Sequence, residues 1–205
     1  MRRLVSTAFV CGFVPALLAV LVLLASSGAR LAAAVVAAGS TYVVNSTLDQ
    51  PDADLADGIC LTASGACTLR AAIMQANFVT GVDTITVPSG VFLLTRPGVD
   101  DGAVIGDLDI VDDLTIQGAG SGGTIVDGNG TATGDRVFQV LSTAKETRLS
   151  GLTIRNGRQI STTFASGGGM YWDGGGGHFT LSDVIFEGNA AHYGGGLYAG
   201  LLPRE

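Results

Sequence analysis

The chain has 205 residues, 47% of them hydrophobic and 14% charged, with 31 glycines. Eighteen acidic residues against eleven basic ones give a net charge of −7. With Lys145 as its one lysine, the sequence excludes a basic groove that would hold nucleic acid or another polyanion through clustered cations.

At the N-terminus, Arg2 and Arg3 precede an apolar run from Val5 through Ala25 that gives way to small residues. That order reads as a secretory signal peptide over residues 1–38. Cleavage is left open among Ser27-Gly28-Ala29, Ala32-Ala33-Ala34 and the stretch from Val35 to Ala38. The alternative is an uncleaved anchor, since about 18 apolar residues span a bilayer and Pro15 does not forbid it. Membrane association is expected in that case alone. On either reading the rest of the chain is expected outside the cell or on its surface. Residues 39–205 keep all eighteen acidic side chains and eight basic ones, a net charge of −10. Such acidity suits a solvated surface protein or a calcium binder.

Cys11 falls in the signal peptide, which leaves Cys60 and Cys67 as an even pair in an oxidising compartment, and a disulfide between them is expected. A zinc site would need two more ligands. His178 and His192 lie more than a hundred residues away without metal-ligand spacing, and no cofactor is expected.

Residues 41–47 are β-branched and aromatic and predict a first strand. A polar loop follows with Asp49, Asp52, Asp54 and Asp57. Thr68 then begins the one helix predicted, over Thr68 to Asn77, with Thr68 as N-cap and Leu69, Ile73 and Ala76 on one face. So short a helix must dock that stripe on something. From residue 84 the period becomes that of strands. Thr84 to Val87 and Val91 to Thr95 flank a turn at Pro88-Ser89-Gly90. Apolar pairs recur at i and i+2 thereafter: Leu114 and Ile116, Phe138 and Val140, Leu152 and Ile154, Phe179 and Leu181, Val184 and Phe186. Twenty-one of the 31 glycines fall between Gly118 and Gly200.

The strongest internal repeat pairs Leu152-Thr-Ile-Arg-Asn-Gly157 with Val184-Ile-Phe-Glu-Gly-Asn189, and Gly167-Gly-Gly-Met-Tyr171 with Gly194-Gly-Gly-Leu-Tyr198. A spacing of about 27 to 32 residues belongs to repeat architectures. A sandwich would show tight two-residue hairpins instead. The fold expected is therefore all-β, a right-handed parallel β-helix. Its interior would be lined by aliphatic columns, with glycine at the corners and Asn129, Asn156 and Asn189 hydrogen-bonding along the stack. Residues 39–83 are expected to form an N-terminal capping module and 84–205 the rungs.

Asp57 to Asn77, with Cys67-Thr-Leu-Arg-Ala-Ala72 at its signature, resembles the CSLREA-type N-terminal module of secreted bacterial β-helix proteins. Thr68 stands in place of Ser and Ala71 in place of Glu, and the latter change removes the acidic half of a capping box. Gly106 to Gly120, Thr124 to Gly130 and Asp135 to Phe138 look like the first rungs of the same proteins. Phe186-Glu-Gly-Asn189 followed by Gly194-Gly-Gly-Leu197 is similar to the repeats of chlamydial polymorphic outer-membrane proteins, with Gly196 where alanine is usual. The resemblance implies a surface-displayed β-helix of adhesin or passenger type, its helix capping the open N-terminal edge. No capping repeat follows Gly200, which reads as the N-terminal piece of a longer protein or a shortened reading frame.

Asp107, Asp109, Asp112 and Asp113 form the densest run of carboxylates. Asp107 and Asp109 are expected to point outward into solvent, alternating with buried Leu108 and Ile110, a hard-cation site being the alternative there and in the Asp49 to Asp57 loop. His178 and His192 read as exposed turn residues. Tyr171, Trp172 and Tyr198 are either an aromatic patch for sugar stacking or core. Asn45-Ser-Thr47 and Asn129-Gly-Thr131 match the glycosylation triplet. Arg155 with Glu187 or Asp183 suggests a cross-strand ion pair, part of a lyase or hydrolase site being the alternative. No catalytic or metal residues are assigned. The function expected is an exported adhesive, structural or ligand-displaying module that contacts carbohydrate or a host or cell-surface protein. A polysaccharide lyase or glycoside hydrolase on the same scaffold is the alternative.

Overall fold

A computed structural model describes residues 39–160 and 165–200; segment 1–38, where a signal peptide is expected, lies outside the described residues. In chain order the elements are β1 (Thr41–Val43), α1 (Leu69–Phe78), β2 (Asp83–Val87), β3 (Gly90–Leu93), β4 (Leu108–Ile110), β5 (Leu114–Gly118) and β6 (Thr124–Asp127). There follow α2 (Gly130–Thr133), β7 (Phe138–Val140), β8 (Glu146–Arg155), β9 (Arg158–Gln159), β10 (Met170–Trp172), β11 (His178–Glu187), β12 (Ala190–Ala191) and β13 (Leu197–Ala199). Every pairing between these strands is parallel, and the chain is a parallel β-solenoid.

Each circuit crosses three faces. The first holds β1, β2, β5 and the N-terminal halves of β8 and β11; the second holds β3, β6 and the C-terminal halves of β8 and β11. On the third lie β4, β7, β10 and β13. Parallel pairing stacks like on like, so each face sends apolar columns inward. Ile85, Ile116, Leu149 and Leu181 are in register on the first face, and Phe92, Val126, Ile154 and Phe186 on the second. Leu108, Phe138, Met170 and Leu197 line the third. Most of these side chains are fully buried, each stabilising the coil by about 1.5–3 kcal/mol relative to exposure. The repeats read from sequence are the repeats in register: Leu152 pairs with Val184, and Tyr171 with Tyr198.

The turn between the first and second faces shows why glycine is needed. Gly151 bends β8 with φ +64°, and a Cβ there would stand 2.8 Å from the Gly118 carbonyl oxygen. One rung on, Asp183 occupies the same place with φ +52°. Aspartate visits this left-handed conformation more readily than most non-glycine residues. Here it accepts from the backbone N and the hydroxyl of Ser121, at 3.0 and 2.6 Å, bonds that also hold the Asp183 pKa below its usual value.

The N-terminal end is closed by α1. Thr68 caps it as expected, its hydroxyl oxygen accepting from the Ala71 N–H at 3.1 Å. The one-sided stripe predicted from Leu69, Ile73 and Ala76 is corrected: every residue from Leu69 to Ala76 is buried. The helix packs on β2 and β4 from inside while the segment from Asp49 to Cys67, tied by the Cys60–Cys67 disulfide, wraps its other side. The first strand is shorter than predicted, ending at Val43, and Ser46 bridges instead to Thr68.

Candidate functional site on the third face

The outward side of the third face carries one column, Asp109, Gln139, Tyr171 and Tyr198, set in register by β4, β7, β10 and β13. Strand alternation explains the membership: Leu108, Phe138 and Met170 point in, so their neighbours point out. The Tyr171 and Tyr198 rings stack with centroids 5.6 Å apart and planes 6° from parallel. From the rung below, the Arg136 guanidinium lies 5.1 Å from the Tyr171 centroid, a cation–π contact of about 0.5–1 kcal/mol. Arg136 is itself held by the Gln139 amide oxygen and by Asp107, whose Oδ2 is 3.8 Å from Nε. Burial pushes the Tyr171 phenol up, with Asp173 and Tyr198 adding to the effect. The aromatic patch is thus split. Tyr171 and Tyr198 lie on the outward side, partly buried, whereas Trp172 packs against the core and stacks on Phe179 at 5.8 Å.

Beside this face, where the second turns toward the third, runs an open groove of ≈ 380 Å³ lined by Leu93, Asp127, Asn129, Asn156, Arg158 and Ala190 among others. That volume lies at the small end of ligand sites, about 300–1,000 Å³. Asp127 accepts from Arg155 Nε at 2.8 Å, Asn156 Nδ2 at 2.9 Å and the Asn129 backbone at 3.0 Å. Arg155 therefore pairs with the rung below; the expected pairing with Glu187 or Asp183 is corrected, because Asp183 is taken by Ser121. The corner asparagines behave as predicted. Asn129 and Asn156 adopt left-handed conformations, and Asn189 bridges rungs by donating to the Ile154 carbonyl and accepting from Gly157 N.

The largest departure concerns Asp107 and Asp109. Expected in solvent, they are 2% and 0% exposed. The segment from Arg96 to Gly106 crosses the outside of β4 and covers them: Asp109 Oδ2 accepts from Ala103 N at 3.0 Å. Burial raises both carboxyls, Asp107 well above its usual range with the Asp109 charge adding to it, and Asp109 to about 7. Arg70, also missed in the sequence, fixes the same segment from the inside. Its guanidinium donates to the carbonyls of Ala103, Gly106 and Asp107 and to both oxygens of Asp49. The available signal was its place in the helix motif, two residues after the capping Thr68.

The remaining candidates sit as follows. Cys60 and Cys67 form the expected disulfide, Cα atoms 5.1 Å apart. In the acidic loop, Asp52, Asp54 and Asp57 each accept from backbone N–H groups. Among the described residues no group of three or more His, Cys, Asp or Glu is arranged to hold a metal ion. His178 is exposed but begins β11 rather than standing in a turn, and His192 is exposed between β12 and β13. Asn45 is exposed and its side chain accepts from Cys67 N, while Asn129 donates to the Leu94 carbonyl. No family model, curated protein or solved structure matches the chain.

Proposed function

We propose that the chain is an exported, cell-surface or secreted β-helix module that makes non-covalent contacts, adhesive or ligand-displaying, with carbohydrate or a cell-surface protein. The observation that carries this reading is the in-register outward column of Gln139, Tyr171 and Tyr198, half-exposed and braced by Arg136, beside the polar groove at the adjacent corner. A rigid coil fixes the spacing of such side chains along its axis, and tyrosine offers large contact area at small conformational cost. Export is supported by the order of charged, apolar and small residues at the N-terminus and by the likeness of the Cys67 to Ala72 segment to the CSLREA-type module. Because the Tyr171 ring is enclosed between Arg136 and Tyr198, recognition runs through ring edges and hydroxyls, with flat stacking of a sugar confined to the outer face of Tyr198.

The test is retention on immobilised polysaccharides and cell-surface extracts by the wild type and by a Tyr171→Ala/Tyr198→Ala variant. Retention of unmodified polymer, lost in the variant, is the expected result; equal retention by both proteins overturns the assignment to this face. A second reading, polysaccharide lyase or hydrolase, is favoured by the burial of Asp109, which pushes its carboxyl up to about 7, a range suited to acid–base work. It requires the covering segment to move aside. Release of unsaturated products absorbing near about 235 nm, or of new reducing ends, would establish it in place of binding.

A further inference from the structure

We propose that the segment from Arg96 to Gly106 is a strap over the third face that is held shut in acid and loosens as the medium turns alkaline, through the buried carboxyl pair Asp107 and Asp109. This does not depend on what the face binds.

The strap is fastened to the coil by Asp109 and Arg70. Ala103 is wholly buried with φ +58°, a left-handed conformation that alanine rarely adopts. It is kept there by Ala103 N donating to Asp109 Oδ2 and by Arg70 donating to the Ala103 carbonyl. Asp100 folds the strap on itself, accepting from Gly102 N and Ile105 N at 3.1 Å each. Its carboxyl also lies close enough to Asp109 to push that carboxyl further up.

Charge compensation in this cluster is thin. Asp107 Oδ2 and Asp109 Oδ1 are buried without any hydrogen-bond partner, as is Arg136 Nε. The groups facing the pair are Asp100 and Asp101 from the strap, Asp135 and Arg136 from the rung above, and Arg70 from α1. Arg70 is already saturated by Asp49 and three carbonyls, so Arg136 alone is left against five carboxyls. With the pair protonated, the cluster is neutral enough to stay covered. Once it ionises, two buried anions face three more, and the least costly relief is for the strap to swing out and admit water. Opening would add the Asp109 position to the outward column beneath Gln139.

Amide hydrogen exchange on the full chain tests this. At Gly102, Ala103 and Ile105, protection corrected for the intrinsic rate is expected to fall by about tenfold or more between about pH 5.5 and about pH 8.5. The exchange should not respond to low urea, the mark of local opening, and Asp107→Asn/Asp109→Asn should abolish the pH response. Protection that is flat with pH, that depends on urea as steeply as the amides of β8, or that keeps its pH response in the variant overturns the proposal. Should the variant not fold, the side-chain carboxyl signals of the wild type decide. Titration of Asp109 in step with the strap amides supports the latch, and titration at ordinary carboxylate pH overturns it.

Discussion

Arg70 Nε lies 2.5 Å from Asp49 Oδ1, and both side chains are shut off from solvent, at 0% and 2% exposure. The pair joins the capping helix to the acidic loop, and the other guanidinium N–H groups join it to the strap. Removing one member of such a buried pair leaves a charge without compensation, at a cost of about 3–5 kcal/mol. Arg70→Ala is expected to lower urea stability by that order, and Arg70→Lys to recover little, because an ammonium cannot reach five acceptors in a fork. An Arg70→Lys variant as stable as the wild type would mean the network is ornamental.

Stability should fall as pH rises. The carboxyls of Asp83, Asp107 and Asp109 are all raised, chiefly by burial, so the folded chain holds these protons more tightly than the unfolded one. For Asp109 the contribution is complete below its ordinary value of 3.8 and is lost as pH passes through about 7. The urea midpoint is therefore expected to be higher near about pH 5 than near about pH 8.5, and Asp109→Asn to be the more stable protein at the alkaline end. A midpoint that rises with pH over that window would contradict the burial of these groups.

Part of this was legible in the sequence. Parallel stacking repeats the same chemistry each turn, so self-similarity between Leu152 to Gly157 and Val184 to Asn189, and the i, i+2 apolar pairs, carried the coil, its register and its inward columns. The Cys60–Cys67 bridge and the Thr68 cap were readable because each is set by neighbours in the chain. Asp107 and Asp109 were not: alternation says which side of a strand a residue takes, but not that a strap from ten residues upstream will cover that side. Arg70 and Gln75 were hidden for the same reason, since helical period cannot show that a helix is enclosed all round. Arg155 chose Asp127 on the rung below over Glu187 on the rung above, a choice that local pattern does not make.

The two ends of the coil should respond differently to truncation. Ile154 is fully buried between its neighbours, whereas Phe186, one rung on in the same column, is only partly buried. Ile154→Ala is expected to cost about 2–5 kcal/mol. Phe186→Ala should cost less despite the larger side chain removed. The order of the two midpoints in urea checks this, and a reversed order would mean that the last described rung is covered in solution.

Reducing the disulfide acts on the cap alone. Cys60 and Cys67 are seven residues apart, so their bridge contributes about 2.5 kcal/mol by loop-closure entropy. Reductant or Cys60→Ser/Cys67→Ser should lower the thermal midpoint and raise exchange in α1 ahead of β8. Unchanged protection of α1 would show that the loop holds the helix without the bridge.

The account rests on parallel stacking at one-turn offsets, and cross-strand nuclear Overhauser contacts measure that directly. Parallel neighbours should give backbone amide to α-proton contacts linking the Leu149 and Leu181 rungs and the Met170 and Leu197 rungs, 32 and 27 residues apart. Close α-proton pairs between facing residues, the signature of antiparallel strands, would contradict it.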